Sequence, residues 1–243
     1  MTRPPINPAF DENEMRDHEV RIWNKPLTDS ALSDLDSLND DERDRAARFM
    51  NERARNEFIQ ARAFLRRLLE SCGAGPAKQI AFSHSANGKP ELARAETPLQ
   101  FNVSHTRELA VFAVTRSHPV GVDVEWLGAT REAEGIVASR FAPEEQAEFA
   151  GLPEAMKQRG FLQGWTRKEA FIKALGRGLG YDLASFAITL VGPARLLRVA
   201  ADAGHVSDWT LADLPLSPNH CAAVAVRGAN IRIKDEGERM KDQ

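Results

Sequence analysis

The chain has 243 residues, 42% of them hydrophobic and 28% charged, with a formal net charge of −3. That length can bury a sizeable core, and the balance is that of an ordinary globular protein, with no global charge to suggest a nucleic-acid or membrane partner. Its two cysteines, Cys72 and Cys221, stand far apart and in no CxxC pattern, which argues against a disulfide framework or thiolate zinc site and fits a reducing, cytoplasmic setting.

The opening residues, MTRPPINPAFDENEMRDHE, show no apolar signal segment, and no apolar run approaches the roughly 18 residues that span a bilayer. Residues 1–17 read as a flexible arm. Val20, Ile22 and Leu27 predict a short strand. The stretch SDLDSLNDDERDRAARFM predicts a helix with an acidic start near Asn39, complementary to the helix dipole. Helical spacing continues through Phe58, Leu65, Leu68 and Cys72 to a stop at Gly73. Eight arginines fall between Arg43 and Arg67, which is either a solvated polar face or a positive wall for a polyanion.

Asn87-Gly88-Lys89-Pro90 is a turn signal. The apolar runs 109–115 and 120–126 read as strands joined by a tight connection. Residues 136–150 and 161–175 are helical in pattern, Phe186, Ile188 and Leu190 alternate like a strand, and 220–226 is another strand candidate. The tail 234–243 is charged and expected to fray. Strands arrive in hairpin-like pairs without strict βαβ alternation, which points to an α+β fold.

Asp123 and Glu125 lie two apart in Val-Gly-Val-Asp-Val-Glu, so on a strand both carboxylates face one side. Adjacent like charges favour a cation between them, and hard oxygen donors suit Mg²⁺; an acidic strand edge is the alternative. Glu169 sits at the margin of the apolar stripe of FLQGWTRKEAFIKALG, where a carboxylate needs a partner; Lys173, one turn on, is the nearest intrahelical candidate. Ser104-His105 is not in a nucleophile elbow and suits phosphate contact or strand capping. Gly176-Arg-Gly-Leu-Gly follows a helix instead of preceding one and reads as a terminator, not a dinucleotide cradle. His220-Cys221 reads as core.

Four segments in order resemble the surfactin-synthetase-activating (Sfp-type) class of phosphopantetheinyl transferases: Gly88-Lys89-Pro90, Phe101 to His105, Val120 to Glu125, and Trp165 to Lys173. Arg140-Phe141-Ala142-Pro143-Glu144-Glu145 adds a fifth likeness, and the whole runs from about Val20 to Val226. The resemblance implies a pseudo-twofold α+β fold of two similar subdomains, here 18–118 and 119–233, each with a small, mainly antiparallel sheet packed on helices. Coenzyme A would lie in the cleft between them.

On that resemblance Asp123, Glu125 and Glu169 hold Mg²⁺, and Ser104 and His105 meet the phosphates of coenzyme A, His105 at the 3′-phosphate. Lys89 and Pro90 form the turn beside the adenine, Lys173 approaches the reacting pyrophosphate, and Lys168 accompanies it. Where the family has a basic residue for the 3′-phosphate this chain has Glu57, so Arg55 or Arg53 substitutes. The implied reaction moves phosphopantetheine from coenzyme A to a serine of an apo carrier protein, with Glu169 as base and Lys173 at the leaving phosphate. A monomer is expected, since one chain supplies both halves of the cleft. The rival readings are a non-catalytic coenzyme A or nucleotide-binding scaffold and a metal-dependent phosphoesterase acting on small nucleotides.

Overall fold

The computed structural model describes residues 15–28, 31–93, 98–128, 132–178 and 180–237. Residues 1–14 of the expected arm and 238–243 of the expected tail lie outside the described residues. Met15, at the end of that arm, is buried in the N-terminal core.

Strand β1 (Glu19–Pro26) opens the N-terminal half, as Val20 and Ile22 imply. The acidic stretch after it is a 3-10 turn over Leu32–Ser37 and then α1 (Asp40–Ala47), started by a reciprocal capping box between Asn39 and Glu42. The helical pattern does not run on unbroken. Residues 48–51 interrupt it, and the Asn51 side chain accepts from Ala54 N at 3.0 Å to begin α2 (Glu52–Ser71) afresh. Gly73, at φ +88°, stops the segment as expected.

Next come β2 (Phe82–His84) and β3 (Pro90–Leu92), paired across the Asn87-Gly88 turn, followed by β4 (Gln100–Thr106), β5 (Leu109–Thr115) and β6 (Val120–Trp126). Three helices follow: α3 (Ala133–Arg140), α4 (Pro143–Ala150) and the long α5 (Glu154–Leu175). The chain ends with β7 (Ala187–Ile188), β8 (Leu196–Arg198), β9 (Trp209–Asp213), β10 (His220–Arg227) and β11 (Arg232–Gly237). The alternation of Phe186, Ile188 and Leu190 produces only two strand residues, although all three side chains are buried.

Four strands form one sheet in the order β11-β1-β5-β4, and three form another in the order β6-β10-β9. Alternation assigns each strand two faces. In the first sheet Trp23, Phe101, Phe112 and Val114 pack against Phe64, Leu65 and Leu68 of α2. In the second, Cys221, Ala223 and Ala225 pack against Ala170, Phe171 and Ala174 of α5. The inner faces meet each other through Val20, Ile22, Val111 and Ala113 on one side and Val122, Val124, Val224 and Val226 on the other. Helix, sheet, sheet, helix: the two halves follow one α+β plan.

One expectation holds with a twist, and one changes. β5 and β6 are joined tightly but do not pair; β5 bonds to β1 and β4, whereas β6 bonds to β10. Pro119 at the connection has no N–H to donate, and its carbonyl accepts from Arg227 N at 2.9 Å, handing the chain to the second sheet. The tail does not fray at Lys234. β11 runs through Gly237 and pairs in parallel with β1, from Glu19 opposite Arg232 onward, because the outer edge of β1 has backbone groups that need partners.

Candidate active site at the seam of the two halves

β6 is the edge of the second sheet that faces β4 of the first. Asn102 of β4 accepts from Val122 N at 2.9 Å, satisfying a backbone donor on that open edge. Two residues on, the Ser104 hydroxyl donates to Asp123 Oδ1 at 2.9 Å. From the other side, Lys173 of α5 donates to the same oxygen at 2.5 Å and to Ser104 Oγ at 3.1 Å. A serine, an aspartate and a lysine from three elements therefore close a triangle. The other oxygen, Asp123 Oδ2, is buried and has no hydrogen-bond partner among the described residues.

α5 comes this close because Gly121 has no side chain. A Cβ there would stand 2.1 Å from Ala170 O and 2.4 Å from Ala174 N. Glu169 and Lys173 are thereby brought to the carboxylates of β6. Lys173 reaches Asp123 directly, and Glu169 lies one helical turn before it on the same side of α5. Burial and then the Asp123 charge push Glu125 up to about 7, with Glu169 adding to the effect and Lys173 opposing it. Burial and Asp123 likewise push Glu169 upward, against Lys173.

Asp123, Glu125 and Glu169, the three carboxylates predicted as metal ligands, lie along the same seam, and Asp123 and Glu169 are buried. Among the described residues, however, no group of three or more acidic, histidine or cysteine side chains is gathered closely enough to hold a metal ion. The Lys173 ammonium is the cation that Asp123 engages. The donor chemistry still suits a divalent ion, since these are hard carboxylate oxygens and Asp123 Oδ2 is buried with no hydrogen-bond partner among the described residues.

Other predicted residues fall in less expected places. Ser104 is buried and its hydroxyl donates to Asp123, so in this geometry it orients a carboxylate. His105 is exposed and, by strand alternation, on the opposite face of β4. Lys89 donates to Val120 O at 2.8 Å and Lys173 O at 2.9 Å, tying the N-terminal half to β6 and α5. The same turn sends Asn87 Nδ2 to Gly176 O at 2.8 Å, capping the end of α5, where Gly176 is left-handed as its terminator role requires. Lys89 and Pro90 also border a depression of about 300 Å³ with Leu92, Leu99 and Phe101.

Lys168 does not reach the cleft, which corrects its placement among the coenzyme A contacts. It is fully buried in the C-terminal core, 2.7 Å from an equally buried Glu145, with Leu183 O and Phe186 O as further acceptors. Burial draws this ammonium down to about 8 while the Glu145 charge opposes the shift. The arginine wall is also mostly engaged. Arg66 and Arg62 hold Glu42, Arg67 holds Asp34, Arg53 holds Glu57 and Glu108, and Arg55 lies 3.4 Å from Glu52. Glu57, standing where a basic residue was expected, is thus the partner of Arg53.

Asn102, Gly121 and Glu145 had no assigned role in the sequence. For Glu145 a signal existed, since it is the third residue of a helix opened by Pro143, the position from which it accepts from Ala142 N at 2.7 Å.

Comparison with known proteins places this geometry. The family model of the 4′-phosphopantetheinyl transferase superfamily matches residues 119–225, and that of the 4′-phosphopantetheinyl transferase N-terminal region matches residues 22–117. The 4′-phosphopantetheinyl transferase HetI of Nostoc sp. is 36% identical over 216 residues, covering 86% of this chain and 88% of the relative. The chain belongs to the 4′-phosphopantetheinyl transferases. This phosphopantetheinyl transferase is also 27% identical to the human L-aminoadipate-semialdehyde dehydrogenase-phosphopantetheinyl transferase, over 85% of its own length and 70% of that protein. With 4′-phosphopantetheinyl transferase psf-1 of Bacillus pumilus it shares 30% identity over 67% of each chain. It is an enzyme that transfers phosphopantetheine to carrier proteins, and neither the scaffold nor the phosphoesterase reading gains support. No helix among the described residues is long and apolar enough to cross a membrane.

Proposed function

We propose that the seam between β4, β6 and α5 is where this phosphopantetheinyl transferase performs its reaction on coenzyme A, and that Asp123, Glu125 and Glu169 hold Mg²⁺ there. The observation that carries the reading is Asp123: one oxygen is held by Ser104 and Lys173, and the other is buried without a hydrogen-bond partner among the described residues. When bound, the metal ion would supply positive charge to phosphate oxygens.

The chain's own residues do the rest. The carrier serine attacks the β-phosphorus, a new serine O–P bond forms, and the P–O bond to 3′,5′-ADP breaks. Glu169 takes the serine proton; a carboxylate raised above its ordinary range by burial and by Asp123 is a better base near neutrality. Lys173 swings its ammonium between Asp123 and the departing phosphate, where preorganised positive charge lowers the barrier. His105 and Arg55 meet the 3′-phosphate. The contact of Arg53 with Glu108 supports this, because it sets the first turn of α2 beside the turn that follows His105. Lys89 and Pro90 border the adenine.

The switch of sheets between β5 and β6 supports the division of the chain into 18–118 and 119–233, with β11 crossing back to the first sheet. A single chain completes the site, which supports a monomer, and both cysteines are free, which suits the cytoplasm. The test is mass spectrometry of an apo carrier protein incubated with coenzyme A and Mg²⁺. Asp123→Ala is expected to lower transfer by about 10²–10³-fold, on the scale of losing one preorganised electrostatic group. Full transfer by that variant would sink the assignment.

A further inference from the structure

Arg167, Lys168 and Glu169 are consecutive on α5, so their side chains leave the helix about 100° apart. Each finds a different neighbour. Arg167 forms a two-bonded pair with Asp213 at the end of β9, at 2.8 and 2.5 Å, and also donates to the carbonyls of Thr189 and Gly192. Lys168 turns to α4, where its ammonium meets Glu145 Oε1 at 2.7 Å, Leu183 O at 2.8 Å and Phe186 O at 3.0 Å. Glu169 lies one helical turn before Lys173, whose ammonium meets Asp123, so it is left on the side of the seam.

Stability alone does not explain Lys168 and Glu145, both 0% exposed. A buried ion pair is commonly no better for stability than well-packed apolar residues of similar volume. What it adds is direction. Glu145 is itself fixed, accepting from Ile188 N at 2.9 Å through Oε1 and from Ala142 N at 2.7 Å through Oε2. An apolar contact tolerates a few degrees of helix rotation, whereas an ammonium shared among three fixed acceptors does not. We infer that the Lys168–Glu145 pair is a positioning device that locks the rotation of α5 and so aims Glu169 at Asp123; this rests on the role proposed for Glu169. Arg167 with Asp213 braces the helix from another side.

The test is steady-state kinetics of carrier modification by the full chain carrying both Lys168→Met and Glu145→Leu, which removes the two charges together and strands neither. Thermal melting checks the fold. The expected result is a kcat lowered at least tenfold with KM for coenzyme A unchanged within about twofold, as loss of an interaction expressed only in the transition state requires. Glu145→Asp keeps the charge and shortens its reach by one methylene; it is expected to show the same split and covers the case in which the double variant does not fold. A raised KM for coenzyme A would give Lys168 a direct contact with the substrate and overturn the inference, as would unchanged kcat and KM. Glu169→Gln is measured alongside. Retained transfer by that variant would bring down the site reading itself and this inference with it.

Discussion

Asp123 and Glu125 owe their joint placement to a period of two along β6, which is why they could be recognised as a pair before any fold was known. Glu169 was harder to place. Its position on the helix wheel shows only that it borders an apolar stripe, and the partner charges come from a strand more than forty residues earlier. Lys168 shows the limit of such reasoning, because a lysine on the broad apolar side of a helix can end at a ligand or at a buried glutamate. Only the tertiary neighbour Glu145 decides it. His105 remains exposed and is not among the hydrogen-bonded residues of the Asp123 triangle, so His105→Ala is expected to raise KM for coenzyme A by about tenfold, the loss of a hydrogen bond to a charged group, and to leave kcat nearly intact. Initial-rate kinetics with varied coenzyme A checks this, and an effect seen only in kcat would remove His105 from the binding surface.

Most element positions could be read from apolar spacing, including β5, β6 and β10, whose runs match the strands closely. The breaks were less visible. Residues 48–51 separate α1 from α2 because the Asn51 side chain takes over a backbone donor, and a capping asparagine inside a charged helical stretch looks like any other polar residue. Nor does spacing reveal how closely two elements approach. α5 rests on β6 with Ala170 O in the space a Gly121 Cβ would fill. Gly121→Ala must push the helix away, and overpacking of this kind costs about 1–3 kcal/mol. For a chain of this size that is roughly 2–4 °C of melting temperature per kcal/mol, measurable by calorimetry. The same displacement draws Glu169 and Lys173 from Asp123, so kcat should fall by more than the melting shift alone would suggest. A variant with wild-type kcat would show that this contact does not set the site.

At the scale of the whole molecule the two halves are tied by polar groups as well as by the valine layer between the sheets. Lys89 is one such tie, and burial draws its ammonium down to about 8. An unfolded lysine titrates near about 10.4, so between these values the unfolded chain binds a proton that the folded one does not, and this group's contribution to stability rises with pH. In urea melts, the stability of the wild type relative to Lys89→Met should therefore increase from pH 7 to pH 10; a constant or shrinking difference would contradict the tie as described. β11 is another connection, and deleting residues 232–243 should lower the melting temperature and promote association of the exposed β1 edge, read by light scattering. That parallel pairing also bears on how the polypeptide reaches its native state. Glu19 cannot meet Arg232 until almost everything between them has been arranged, and closing so long a loop is slow. Refolding from denaturant should accordingly show β1 protected late on one edge and early on the other, with its amides facing β5 shielded from hydrogen exchange before those facing β11.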